Sequence, residues 1–173
     1  ARGLCGSLNI HLFKKVSQFL HQQQQHKLHT DLGIIGKKGE VFFKHAGGHV
    51  VASINSIGDK PKIADIIGVV KVMLNAYDAQ EIDTLYIAFN EFINTMIQKP
   101  RIQTLLPLPQ GEASEPLKQH WDYIYEPEAK ALLDQLLTRY IQLQVYQAVI
   151  ENIACEQAAK MLAMKNASEK AGE

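Results

Sequence analysis

The chain has little cysteine, one tryptophan and no surplus of either charge, and each shortage narrows what it can be. Two cysteines, Cys5 and Cys155, make no disulfide framework and fit a reducing cytoplasmic compartment. Cys155 lies in the helical run Ile153-Ala154-Cys155-Glu156, where a thiol reads as a small buried apolar group. Eighteen basic residues face eighteen acidic ones, so no net field gathers phosphate backbones and nucleic acid is not an expected partner. No apolar run approaches the ~20 residues needed to cross a bilayer, so any membrane association is expected to come through partners. The chain opens Ala1-Arg2-Gly3 with neither an initiator Met nor a cleavable apolar segment, and the expectation is a piece of a longer protein.

Motifs that carry chemistry are also scarce. Gly3-Leu4-Cys5-Gly6 precedes a helix but lacks the lysine and third glycine of a phosphate cradle. Ile35-Gly36-Lys37-Lys38-Gly39 follows a strand, yet it lacks the glycine-rich span and the Ser/Thr after the lysine, so both read as plain turns. No Ser or Cys sits in a nucleophile elbow. Cys5, near a helix start, has no base placed beside it by sequence. Glu81 and Asp83 lie in a surface-like turn rather than in a shielded acid–base pair. Among seven histidines, His45 and His49 are separated by Gly47-Gly48, which breaks any helix that would align them, and His26 and His29 flank a helix-to-strand change. Neither catalysis, nor a cofactor, nor a metal is expected.

What is present is strongly patterned. Leu8, Leu12, Val16, Phe19 and Leu20 form a helical stripe that ends in the polar run Gln22 to Gln25. Leu32 to Gly36 and Val50 to Ile54 read as buried strands around a short helix from Glu40 to Ala46. A Gly58-Asp59-Lys60-Pro61 turn leads into a helix carrying Ile63, Ile66, Ile67, Val70, Met73, Leu74 and Tyr77. Leu85 to Phe89 reads as a strand, extended through Phe92 to Met96, with Arg101 to Leu108 returning after a turn at Lys99-Pro100. The alternation predicts an α/β fold with a mostly parallel, Rossmann-like sheet and an antiparallel edge hairpin. The first helix has no strand before it; a strand missing there leaves an unsatisfied sheet edge.

Pro107 to Pro116 shifts to Pro, Gly, Glu and Ser, which separates a body at 1–116 from a second region at 117–173. Trp121-Asp122-Tyr123-Ile124-Tyr125-Glu126-Pro127 reads either as a staple packing a helix start or as a contact patch. After Pro127 no Pro or Gly occurs before Gly172, and Leu132, Leu133, Leu136, Leu137, Tyr140, Leu143, Tyr146, Val149, Ile150 and Ile153 sustain a helical pattern. Such a helix is roughly 65 Å long, whereas a compact body of this chain length is about 40 Å across. Its outer end must project, and the small and flexible residues Ala158, Ala159, Met161, Leu162, Ala163 and Met164 suit a partner helix. The alternative is a helix broken in two by an unmarked turn.

Several segments carry a family resemblance. Arg2-Gly3-Leu4-Cys5-Gly6-Ser7-Leu8-Asn9 resembles the signature of bacterial F-type ATP synthase gamma subunits. Val70 to Asp78, Phe92 to Met96, Leu105 to Pro109, Trp121 to Pro127 and Tyr146 to Lys165 are similar to that family in the same order. The resemblance implies a Rossmann-like domain beside two long helices wound as an antiparallel coiled coil, here without the N-terminal helix, the first strand and the end of the C-terminal helix. It implies a rotor shaft that does no catalysis and transmits torque between a proton-driven c-ring and the catalytic alpha and beta subunits, also binding the epsilon subunit. The implied location is peripheral, at the cytoplasmic face of the bacterial inner membrane. Arg2, Leu4 and Cys5 match the segment facing the lever of the beta subunits; Tyr123, Tyr125 and Glu126 match the c-ring contact; Ala154, Ala158, Met161 and Met164 match the shaft coil.

Ala1, Ser7, Cys155 and Lys160 depart from the family's usual Asp, Gly, Ser and Arg, and the run Asn166 to Lys170 diverges. The cysteine-bearing loop of chloroplast relatives is missing, so no thiol switch is expected. Two other readings stand beside this one. One is an independent nucleotide- or flavin-binding α/β module; the other is an adaptor dimerising through the long helix, with self-association through that helix or the open sheet edge.

Overall fold

The computed structural model describes residues 7–58, 60–108 and 127–171, and for 127–129 the backbone alone. The elements run α1 (Leu8–Gln25), β1 (Asp31–Ile35), α2 (Lys37–His45), β2 (His49–Ile54), α3 (Ile63–Asp78), β3 (Leu85–Phe92), β4 (Gln98–Leu106) and α4 (Pro127–Ala171). β1 and β2 pair in parallel and β3 and β4 antiparallel, so the expected α/β arrangement is present as two separate strand pairs.

The two pairs are joined through α3, which uses two faces. Val69 and Met73, four apart and so on one side of the helix, close over β1 at Gly33. A Cβ built there would lie 2.7 Å from Met73 Cε and 2.9 Å from Val69 Cγ1, so the strand accepts the helix only because it carries no side chain at that point. Ile66, Val70 and Leu74 form the other face and meet Leu105 and Leu106 of β4 and Ile141 and Val145 of α4 in the main core.

On the opposite side, Phe13 of α1 stacks on Phe42 of α2 at 4.8 Å between centroids and meets Phe43 edge-on at 5.5 Å. Glu40 of α2 is buried. It accepts from Lys44 Nζ at 2.6 Å and from Ser53 Oγ of β2 at 2.9 Å, which ties helix to strand. The Lys44 bond, seconded by Ser53, holds its carboxyl below the usual carboxylate range. That contribution to stability is present above about pH 4.5 and is lost as pH falls through the lowered value.

The hairpin corrects one expectation. The turn lies not at Lys99-Pro100 but between Phe92 and Gln98. There Asn94 Oδ1 accepts from the amides of Met96 and Ile97 at 2.9 and 2.8 Å, a side-chain turn that outcompetes the proline signal. Pro100 sits inside β4 opposite Asn90. It is tolerated because Asn90 directs both its amide and its carbonyl away from β4, toward α4, so nothing is required of the missing proline N–H. The Pro100 carbonyl likewise faces outward and accepts from Lys15 Nζ of α1 at 2.9 Å.

Candidate functional site

α4 is continuous over 45 residues, roughly 65 Å, as a segment with no internal Pro or Gly should be. Among the described residues it docks through its middle. Ile141, Val145, Ala148, Cys155 and Ala158 are buried, whereas residues 130–136 and 164–171 are exposed throughout. Among the described residues the helix therefore runs past its contacts with the body at both ends, where the sequence suggests projection at the outer end alone.

The docked face is a polar–apolar ladder. Ile141 and Val145 enter the core, and Tyr146 donates its hydroxyl to Pro61 O at 3.1 Å. Further along, the helix lies against the free edge of β3 and caps it with side chains. Asn152 Oδ1 accepts from the Asn90 amide at 3.3 Å and from Asn90 Nδ2 at 2.9 Å. Cys155 Sγ donates to the Asn90 carbonyl at 3.3 Å, and Glu151 Oε2 accepts from the Phe92 amide at 3.4 Å. At this point the unpaired edge of β3 is satisfied by side chains of a helix instead of by a strand.

Burial pushes the Cys155 thiol up to about 11 from 9.0, with the nearby Glu151 carboxylate adding to it. The thiol stays protonated at neutral pH and serves as a donor. Its stabilising contribution is full below pH 9.0 and lost as pH climbs toward about 11. In a Cys5→Ser background, iodoacetamide should alkylate the native chain at pH 8 about a hundredfold more slowly than the urea-unfolded chain, since the rate follows the thiolate fraction. Equal rates would show Cys155 to be accessible and ionisable in the fold.

A second stripe runs the length of the same helix. Leu136, Tyr140, Leu143, Gln147, Ile150, Ala154, Gln157, Met161 and Met164 recur at alternating steps of four and three residues, the 3.5-residue repeat of a coiled-coil seam. At 100° per residue it lies about 150° around the helix from the docked stripe, close to the opposite face. Leu136, Tyr140, Leu143, Ile150, Met161 and Met164 on it are 40–58% exposed. Of the four residues assigned to a shaft coil, Met161 and Met164 stand on this open seam, Ala154 lies half-buried within it, and Ala158 faces the body. The other six assigned contact residues, Arg2, Leu4, Cys5, Tyr123, Tyr125 and Glu126, lie outside the described residues. Periodicity along the chain showed one broad apolar pattern; splitting it into a docked and an open seam needed the body in place.

The glycine turn after β1 is part of the strand pairing. Gly36 holds φ at 114°, a conformation that glycine alone adopts freely, and its amide is bonded to Ile54 O at 2.7 Å. At the opposite ends of the same strands, three side chains meet that sequence spacing did not connect: Asp31 Oδ1 accepts from His29 Nε2 at 2.9 Å and from His49 Nδ1 at 2.7 Å. Among the described residues no helix is long and apolar enough to cross a membrane.

Comparison with known proteins agrees with this architecture. Residues 1–173 match the protein family described as ATP synthase. The ATP synthase gamma chain of Legionella pneumophila strain Corby is 57% identical over 173 residues, covering 99% of this chain and 60% of the relative. The gamma chain of Coxiella burnetii strain RSA 493 has the same identity and coverage. The chain thus spans 60% of the length of these relatives. Its fold resembles a chain in the central stalk and c-ring structure of the Tetrahymena thermophila mitochondrial ATP synthase, with TM-score 0.71, 24% identity, and coverage of 96% of this chain and 72% of that one. A rotor chain of the Euglena gracilis mitochondrial ATP synthase aligns with TM-score 0.62 and 18% identity, over 95% of this chain and 62% of the other.

Proposed function

Because the chain belongs to the ATP synthase gamma family, we propose that it forms the central part of a rotor shaft. In this reading it carries torque between a proton-driven c-ring and the catalytic alpha and beta subunits, and does no chemistry itself. The observation that carries the reading is α4: a rod anchored to the body by one seam, with a second coiled-coil seam left facing outward. A seam of Leu, Tyr, Ile and Met that its own domain does not bury calls for a helical partner, and a helix overhanging at both ends can span from one assembly to another. The ladder from Tyr146 to Cys155 supports the mechanical role, since it fixes the rod to the body by hydrogen bonds as well as by apolar contact.

In this account Arg2, Leu4 and Cys5 face the beta subunits, and an Arg there steers a sliding contact toward an acidic lever. Tyr123, Tyr125 and Glu126 meet the c-ring, and the chain reaches the bacterial inner membrane only through it. Mixing the 173-residue chain with purified epsilon subunit and purified c-ring is the direct test. Co-elution with either at micromolar concentration is expected. A chain that elutes alone from both, and instead binds ATP, ADP, NAD or FMN at micromolar concentration, would overturn the rotor reading in favour of a nucleotide- or flavin-binding module.

A further inference from the structure

The starts of β1 and β2 bring together three residues that lie far apart along the chain. The parallel register places His49 directly beside Asp31. His29 stands two residues before Asp31, the spacing at which extended backbone returns a side chain to the same face. As a result one carboxylate oxygen, Asp31 Oδ1, holds both imidazoles, and the two rings lie 5.3 Å apart between centroids. His29 Nε2, Asp31 Oδ1 and His49 Nδ1 all fall within 4.8 Å of one another.

We propose that His29, Asp31 and His49 form a binding site for a divalent transition-metal ion of the zinc class. The geometry is close to what such an ion requires. Bonds of 2.0–2.2 Å in tetrahedral array put neighbouring ligand atoms about 3.3 Å apart. Two edges of the triangle, at 2.9 and 2.7 Å, need open by only about half an ångström to reach that spacing. The third edge, between the two ring nitrogens, is no longer than 4.8 Å. Both imidazole side chains are well exposed, at 75% and 62%, so small rotations meet no packed wall, while Asp31 at 23% is held in place. Each imidazole gives up its hydrogen bond to Asp31 by moving its proton to the other ring nitrogen, which leaves a lone pair for the metal. The fourth position opens to water.

The donor set decides the class of ion. Two imidazole nitrogens and one carboxylate suit zinc, nickel, copper or cobalt, and are a poor match for calcium or magnesium, which take oxygen ligands. Ligand spacing along the chain does not reveal the cluster, because it is a rule for donors on one helix or loop, and these donors are assembled by strand pairing. The inference does not depend on the rotor reading.

The test uses the full chain with zinc chloride in calorimetric titration and with cobalt chloride in visible absorption. One zinc ion is expected to bind with low micromolar affinity, and cobalt should give the intense visible bands of a four-coordinate site. His29→Ala and His49→Ala should each weaken binding by about tenfold or more, while His26→Ala and His45→Ala leave it unchanged. Zinc should also raise the melting temperature of the parent chain and not that of His49→Ala. All four side chains are exposed, and circular dichroism checks that each variant is folded. Zinc affinity unchanged in His49→Ala, or no saturable zinc binding to the parent chain, would overturn the assignment and leave the cluster a hydrogen-bonded clasp.

Discussion

Truncating Ile141 to alanine should lower the unfolding free energy by about 2–5 kcal/mol, the range for a large aliphatic side chain removed from a closed core. Ile141 is 0% exposed and is packed with Ile66, Val70 and Leu74 of α3 and Leu105 and Leu106 of β4. It is where rod, crossover helix and hairpin meet, so the space left behind is walled by three elements that cannot all relax into it. The matching control is Leu143→Ala, two residues on and 53% exposed on the open seam. It should change stability by no more than about 0.5 kcal/mol in the isolated chain. Urea denaturation of both variants reads the difference directly. Comparable losses at the two positions would mean that the open seam is covered in solution, by a second copy or by the chain itself.

The other large effect is expected at Asn152. Asn152→Ala removes the acceptor of two bonds at once and leaves the amide and the side-chain N–H of Asn90 unpartnered at a site with no exposure. The expected loss is about 1–3 kcal/mol, chiefly the desolvation of stranded donors. Asn90→Ala should cost less, since it removes the stranded group itself along with Asn90 Oδ1, which is buried without a hydrogen-bond partner among the described residues. The double variant should therefore lose less than the sum of the two, with a coupling of about 0.5–3 kcal/mol. Strict additivity would mean that the two asparagines do not act as one joint, and that apolar packing alone fixes the rod.

Much of this was legible in the residues, for identifiable reasons. α4 was readable to its last turn because 44 residues without Pro or Gly, following Pro127, leave a helix as the natural continuation. The stripe of α3 was readable because Ile66, Val70 and Leu74 keep strict four-residue steps. The hairpin turn is not legible from the residues, because Pro100 gives a strong signal along the chain, while the competing signal, an Asn94 side chain folding back on two amides, depends on geometry. The same limit hid Asn90. An asparagine within an apolar strand reads as a blemish until the helix that receives its hydrogen bonds is beside it. Spacing along the chain keeps the histidines apart, and strand register is what brings His29 and His49 to one carboxylate.

The docked stripe of α4 follows a 3.5-residue step from Ile141 through Val145, Ala148 and Asn152 to Cys155, two heptads in all. A straight helix has 3.6 residues per turn, so such a stripe swings by ~20° per heptad, about 40° over that stretch. A body of fixed shape can follow it only so far before the stripe turns off its surface. The footing is thus limited by twist and not by helix length, and extra turns at either tip neither strengthen nor weaken it. Reach and anchorage become independent variables. Evolution or an engineer can lengthen the lever without rebuilding the joint, and removing the exposed turns beyond Lys165 should leave the melting temperature of the body where it was.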